Sequence, residues 1–210
     1  MTMSEENQEL SNLKIITSGS GLFLLSLVSM GIYTALTLII LHLFHEASIT
    51  SLFRHGLGVP LQLLTGTLFG LMAAISVSWM MFRTVIAGIL KDYTIVRLLS
   101  DIHLSRFDRI QISLFAGVGE ELLFRGALQP LIGIWLTSLL FVGLHGYFKF
   151  KSLKHIAFGL SMFALSVGLG LLYEWAGLLA AITAHAVYDL VMLQIGQRFG
   201  FGTIKTAQHT

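Results

Sequence analysis

LFLLSLVSMGIYTALTLIIL, residues 22–41, decides the class of this fold. Twenty residues without a charge, at about 1.5 Å rise each, cover the roughly 30 Å hydrocarbon core of a bilayer. The stretch is no isolated patch. Of 210 residues 55% are apolar and only 11% are Asp, Glu, Lys or Arg, against about 25% charged in an ordinary soluble domain. The mean hydropathy is +0.80. So few charges cannot cover a soluble surface of this size, and a disordered chain would need the opposite composition. A nucleic-acid partner is not expected, because a net charge of +2 with no dense basic run offers phosphate little. There is no cysteine, which removes disulfide and thiolate chemistry.

Working outward, we read an all-α polytopic membrane protein: one membrane domain over residues 1–210 with about six spans, near 20–43, 57–82, 109–129, 131–148, 155–173 and 176–197. The first run exceeds a signal-peptide core and follows Glu5, Glu6 and Glu9, so it is expected to stay as an anchor. Between spans two and three, Ile89, Tyr93 and Val96 recur at helical spacing, which predicts an interfacial helix over 84–108 or a polar extension of span two. Six spans put Lys14, Arg83, Lys91, Arg97, Arg106, Arg109, Lys149, Lys151, Lys154, Arg198 and Lys205 on one side and Arg54 on the other. That asymmetry predicts an integral protein of the cell (inner) membrane with both termini cytoplasmic. Gly66-x-x-x-Gly70 and Gly196-x-x-x-Gly200 are small-residue spacings, read as tight packing rather than a dimer site.

Against this background six ionisable residues stand inside predicted spans: Glu120, Glu121, Arg125, His145, His185 and Asp189. Each costs about 2.5–3.5 kcal/mol at mid-membrane on insertion scales, and such residues usually mark a function. Glu121 and Arg125 are four apart and can pair on one helical face, a structural role. Glu120 points about 100° away and must be protonated, hydrated or matched from another helix. Gly117 and Gly119 leave room beside it for a neighbouring backbone or a substrate. His185 and Asp189 share a face, so the carboxylate can orient the imidazole. Counting helical rise, Glu120, His185 and Asp189 lie about 16, 18 and 12 Å from their span ends, but His145 only about 6 Å. Level placement requires span four to tilt and run on through Gly146, Tyr147 and Phe148.

Glu120-Glu121-x-x-x-Arg125, Phe141-x-x-x-His145 and His185-x-x-x-Asp189, in that order on successive apolar segments, resemble the CAAX-protease and bacteriocin-processing (CPBP/Abi) family of intramembrane endopeptidases. The resemblance runs from Gln111 to about Ile195. It implies a CAAX-prenyl-protease-like helical core and peptide hydrolysis by activated water in a membrane-associated peptide or protein. Glu120 and His145 would activate the water, His185 and Asp189 would stabilise the oxyanion, and Glu121 and Arg125 would support the site. The position of Asp189 is often Asn in relatives. No cofactor is expected. If zinc is used, Glu120, His145 and His185 are its ligands; the zincin spacing His-Glu-x-x-His is absent, since Ile49 follows His45-Glu46. A non-catalytic scaffold or immunity-type protein of the same fold is the alternative. An ion pathway ranks last, because spans one, two and five offer mainly Ser and Thr.

Overall fold

The structure, a computed structural model, describes residues 19–45, 48–83, 85–93 and 104–199. Glu5, Glu6, Glu9, Lys14, Glu46, Arg97, Gly200 and Lys205 lie outside them, as does the 94–103 part of the expected interfacial helix. The described residues form α1 (Gly19–Ile40), α2 (Val59–Arg83), α3 (Arg106–Glu121), α4 (Gln129–Leu144), α5 (Leu153–Ala176) and α6 (Leu178–Phe199). No strand occurs among them. The all-α membrane fold read from composition is the fold found. Large apolar side chains such as Leu24, Ile75, Trp79 and Trp135 stay exposed, as expected where the surrounding solvent is lipid.

Among the described residues five helices are long and apolar enough to cross a membrane, and one of them, Arg106–Leu144, is a run of 39 residues. It holds the expected third and fourth spans. A π-helical turn, Leu122–Leu128, joins α3 to α4, and Gly133 breaks the run with φ 77° and ψ 165°. From Glu120 to Gly133 is about 20 Å of helix and from Gly133 to His145 about 18 Å. Because Glu120 and His145 nevertheless meet at 3.3 Å, the chain folds back at this glycine. The left-handed φ is one that a residue with a Cβ adopts only under strain, while a Cβ at Gly133 would meet nothing within 4 Å. The bend is thus a backbone requirement rather than a packing one.

The sequence expectation for span four needs correction. Its helix ends at Leu144, capped by His145 and turned by Gly146 at φ 69°, and does not run on through Phe148. His145 is level with Glu120 because α4 stops short. The segment expected as an interfacial helix also differs. Val85–Asp92 is a 3₁₀ segment, and Ile86, Ile89, Leu90 and Tyr93 are buried in the main apolar cluster with Phe124, Val142 and Phe158. The apolar repeat was real, but protein rather than lipid covers it.

α6 is the central helix and packs on α2, α3 and α5. Glycines set its distances: a Cβ on Gly66 or Gly70 would stand 2.5 Å from the carbonyl oxygens of Ala180 and Ala184. That spacing therefore serves packing between α2 and α6, within one chain. Gly117 gives the same access to α6, and Gly119 receives Met30 and Tyr33 of α1. At the end remote from His145 the connections are stitched by polar side chains. Gln62 donates to Leu57 O (2.7 Å) and accepts from Ala180 N (3.3 Å). Gln129 donates to Gly170 O and to Glu174 Oε1.

Candidate active site

Three helices bring six ionisable side chains together. α3 and its π-helical turn carry Glu120, Glu121 and Arg125; His145 caps α4; α6 supplies His185 and Asp189. Glu121 and Arg125 form the pair their spacing predicts, Oε2 to Nε 3.2 Å, and both side chains are fully buried. Arg125 also donates through Nη2 to Ser166 O and Oγ on α5, at 2.9 and 3.0 Å, and its guanidinium lies 4.9 Å from the centre of the Phe141 ring. The π-helical turn widens the backbone where this side chain enters, a common device at functional sites.

Glu121 has a second task that sequence spacing did not suggest. Its Oε1 accepts a 2.7 Å hydrogen bond from His185 Nδ1. An ionised carboxylate only accepts, so Nδ1 carries the hydrogen and Nε2 faces the cavity. Asp189 meets the ring at Nε2, 3.5 Å away, as its spacing allows, while the closer contact is at Nδ1. Glu121, from another helix, thus shares the orienting with Asp189 and holds the ring more closely. Residues 64 positions apart have no spacing signal that could have announced the bond.

His145 is fixed by the same logic. Its Nδ1 lies 2.7 Å from Phe141 O, an acceptor, so Nδ1 donates. Its ring stacks on Phe141 at 4.3 Å between centroids. Nε2 is left pointing at Glu120 Oε2, 3.3 Å away. Two acceptor atoms at that distance require a proton between them, so His145 and Glu120 act as one proton-holding pair. Glu120 Oε2 is sealed from solvent and has no aligned hydrogen bond; His185 Nε2 stands 3.9 Å from it.

These groups open on a cavity of about 260 Å³, lined by Glu120, His145, His185 and Asp189 on one side and by hydrocarbon from Met81, Leu90, Phe158 and Met162 on the other. Burial of this kind withholds water from the carboxylates and strengthens every interaction inside. Two imidazole nitrogens and a carboxylate are the right donor types for zinc. Among the described residues, however, no three such groups converge as a metal-holding set, and we route no step through a metal.

Two comparisons bear on this constellation. Residues 104–191 match the family described as Type II CAAX prenyl endopeptidase Rce1-like. Over that segment the chain is similar to this family. All six clustered residues fall within it. An 83-residue stretch is 45% identical to the uncharacterized protein YpbD of Bacillus subtilis (strain 168), covering 39% of this chain and 42% of that protein. The match thus spans less than half the length of this relative. No solved structure matches. α1 and α2 lie outside the Rce1-like segment, yet α1 is tied to it by a hydrogen bond from Gln111 Nε2 to Ser26 Oγ.

Beyond the motifs, sequence reasoning missed Ser166, which holds Arg125. A serine in an apolar helix has no periodic signature. It also missed Asp92 and His155, whose Oδ2 and Nε2 meet at 2.9 Å and join the Val85–Asp92 segment to the start of α5.

Proposed function

We propose that this protein is an intramembrane endopeptidase that hydrolyses a peptide bond of a membrane-associated protein or peptide with water activated by Glu120 and His145. The observation that carries the reading is the proton-sharing pair of Glu120 Oε2 and His145 Nε2, 3.3 Å apart and without an aligned hydrogen bond at Oε2, at the wall of the cavity. A water in the cavity beside the pair would lose a proton to the Glu120 carboxylate while its oxygen attacks the carbonyl carbon. His185 has a carboxylate at each ring nitrogen, Glu121 at Nδ1 and Asp189 at Nε2, which favours the imidazolium with a proton on both, so Nε2 can donate to the developing oxyanion in the same space. Collapse then breaks the C–N bond, and the pair returns its proton to the leaving amine. Glu121 and Arg125 are positioning residues in this scheme. The apolar wall suits a hydrophobic substrate segment, and the similarity of residues 104–191 to type II CAAX prenyl endopeptidases favours the same chemistry. The site faces the cytoplasm in our reading, since Lys149, Lys151 and Lys154 follow His145 on the short link to α5.

The test is cleavage in liposomes by the parent and by Glu120→Ala, His145→Ala and His185→Ala. Loss in all three, with the variants folded, is expected. Undiminished cleavage by Glu120→Ala would sink the reading. Cysteine accessibility at positions 54 and 151 tests the orientation, and labelling of both from one side overturns it.

A further inference from the structure

The chemistry just proposed leaves the oxyanion short of donors. Glu120 and His145 are committed to the water. Asp189, when ionised, can only accept. His185 Nε2 is one donor, whereas stabilisation of an oxyanion in a water-poor site ordinarily draws on more than one preplaced N–H or O–H group. Ser166 is engaged with Arg125 at 3.0 Å, and the Tyr188 hydroxyl is turned to Met162 Sδ at 3.9 Å.

Tyr147 stands apart from these. It lines the same cavity as Glu120, His145, His185 and Asp189. Among the described residues its hydroxyl has no hydrogen-bond partner, yet it is not among the sealed, unpaired polar atoms. Its position is built by several independent contacts. The left-handed turn at Gly146 (φ 69°) redirects the chain, and Tyr147 N donates to Val142 O at 3.2 Å. Gly159 on α5 lets the Tyr147 carbonyl come close; a Cβ there would be 3.0 Å from it. The ring lies parallel to the His145 imidazole, 4° between planes and 5.9 Å between centroids. Phe158 meets it edge-on at 5.8 Å, and Tyr93 closes it in at 6.1 Å. An aromatic ring packed this closely, with its hydroxyl left unbonded, is a preplaced donor.

We propose that Tyr147 is a catalytic residue whose hydroxyl donates a hydrogen bond to the carbonyl oxygen of the bond being cleaved, beside His185. This rests on the hydrolytic reading above. The phenol keeps its proton throughout. The water oxygen forms the new C–O bond, the carbonyl π pair moves onto the oxygen that Tyr147 and His185 hold, and the proton held by Glu120 and His145 leaves with the amine.

The experiment uses the full chain in phosphatidylglycerol–phosphatidylcholine liposomes with three quenched fluorogenic probes: a peptide ending in S-farnesylcysteine and three apolar residues, its unprenylated twin, and a membrane-spanning peptide. Tyr147→Phe keeps the ring and removes the donor. We expect kcat to fall about 10²–10³-fold, the usual loss of one oxyanion donor, with KM within about threefold. Replacement of Tyr147 by 3,5-difluorotyrosine preserves the shape and acidifies the phenol, so the basic limb of the pH profile moves to lower pH; a packing role would leave that limb in place. An unchanged kcat in Tyr147→Phe while Glu120→Ala is dead overturns the assignment and leaves the hydrolytic reading standing. A raised KM at constant kcat overturns it too. Full cleavage by Glu120→Ala, or no cleavage of any probe by the parent, overturns both.

Discussion

Two faces of α3, one residue apart, hold the same carboxylate in opposite conditions. On the Glu121 face the carboxylate is fully buried and each oxygen has a partner: Arg125 Nε at 3.2 Å as an ion pair without an aligned hydrogen bond, and His185 Nδ1 at 2.7 Å, with Ser166 behind Arg125. On the Glu120 face one oxygen is without an aligned hydrogen bond and abuts a cavity. About 100° of helix separates a carboxylate that holds helices together from one free to take a proton. The comparison teaches that charge inside a membrane protein is not of one kind. Its use is set by how many partners the fold has already supplied.

The largest effect expected is at the underfilled face. Glu120→Gln keeps the volume and removes the base, so cleavage should fall about 10²–10⁴-fold, the usual contribution of a positioned acid–base group. Thermal stability should hold, since no aligned hydrogen bond is lost at Oε2. A variant that melts far below the parent would show that Glu120 is as structural as its neighbour, and the contrast between the faces would be gone.

Glu121→Gln inverts the pattern. Removing one partner of a buried pair typically costs about 3–5 kcal/mol, because the other charge is left uncompensated. Arg125 would be that charge, at 0% exposure. A lower melting temperature in detergent is expected first, with lost cleavage following from a His185 no longer held by a charged acceptor. Full stability with lost cleavage would move Glu121 into the chemistry itself.

The spans were legible because hydropathy needs only composition over 20 residues, and Glu121 with Arg125 because four residues make one helical face. What was not legible has a common cause. The bond from Glu121 to His185, the grip of Ser166 on Arg125, and the pairing of Asp92 with His155 all join segments distant in the chain. The reversal at Gly133 is a backbone angle, invisible in a run where neither side chain nor hydropathy changes. His145 was assigned a helix running through Phe148 because uncharged residues continue past the place where Gly146 ends it. The motifs named which residues matter to a site, while the structure determined which of them touch.

Gly133→Ala tests the reversal that brings the two faces' partners together. With nothing within 4 Å of the new methyl group, its cost is the backbone strain of φ 77° alone, about 1–3 kcal/mol for such positions. Cleavage should fall more than stability does, because a small rotation at the bend is carried along about 18 Å of α4 to His145. A distance measurement between spin labels on α3 and α4 should broaden. An unaltered distribution with full activity would mean that the bend tolerates a Cβ and that His145 is positioned from elsewhere.

The smallest effect expected belongs to a pair at neither face. His155 Nε2 donates to Asp92 Oδ2 at 2.9 Å while Ser152 Oγ lies 2.8 Å from Nδ1, fastening the Val85–Asp92 segment to the start of α5. Leu90 of that segment lines the cavity. The hydrogen bond from His155, helped by Lys151 and Lys149, holds the Asp92 carboxyl below its ordinary value. A lowered value in the folded protein means the stabilisation is present above the unfolded value of about 3.9 and is lost as pH falls through the folded one. Asp92→Asn should therefore melt slightly below the parent from pH 5 to 8, with the gap closing under acid. Because the pair is exposed on the Asp92 side, salt should shrink the same gap. A gap that persists below pH 3, or that ignores salt, would mean the segment is held by Leu90 and Tyr93 in the core and not by the ion pair. The apolar wall of the cavity would then be as rigid as the Glu121 face opposite it.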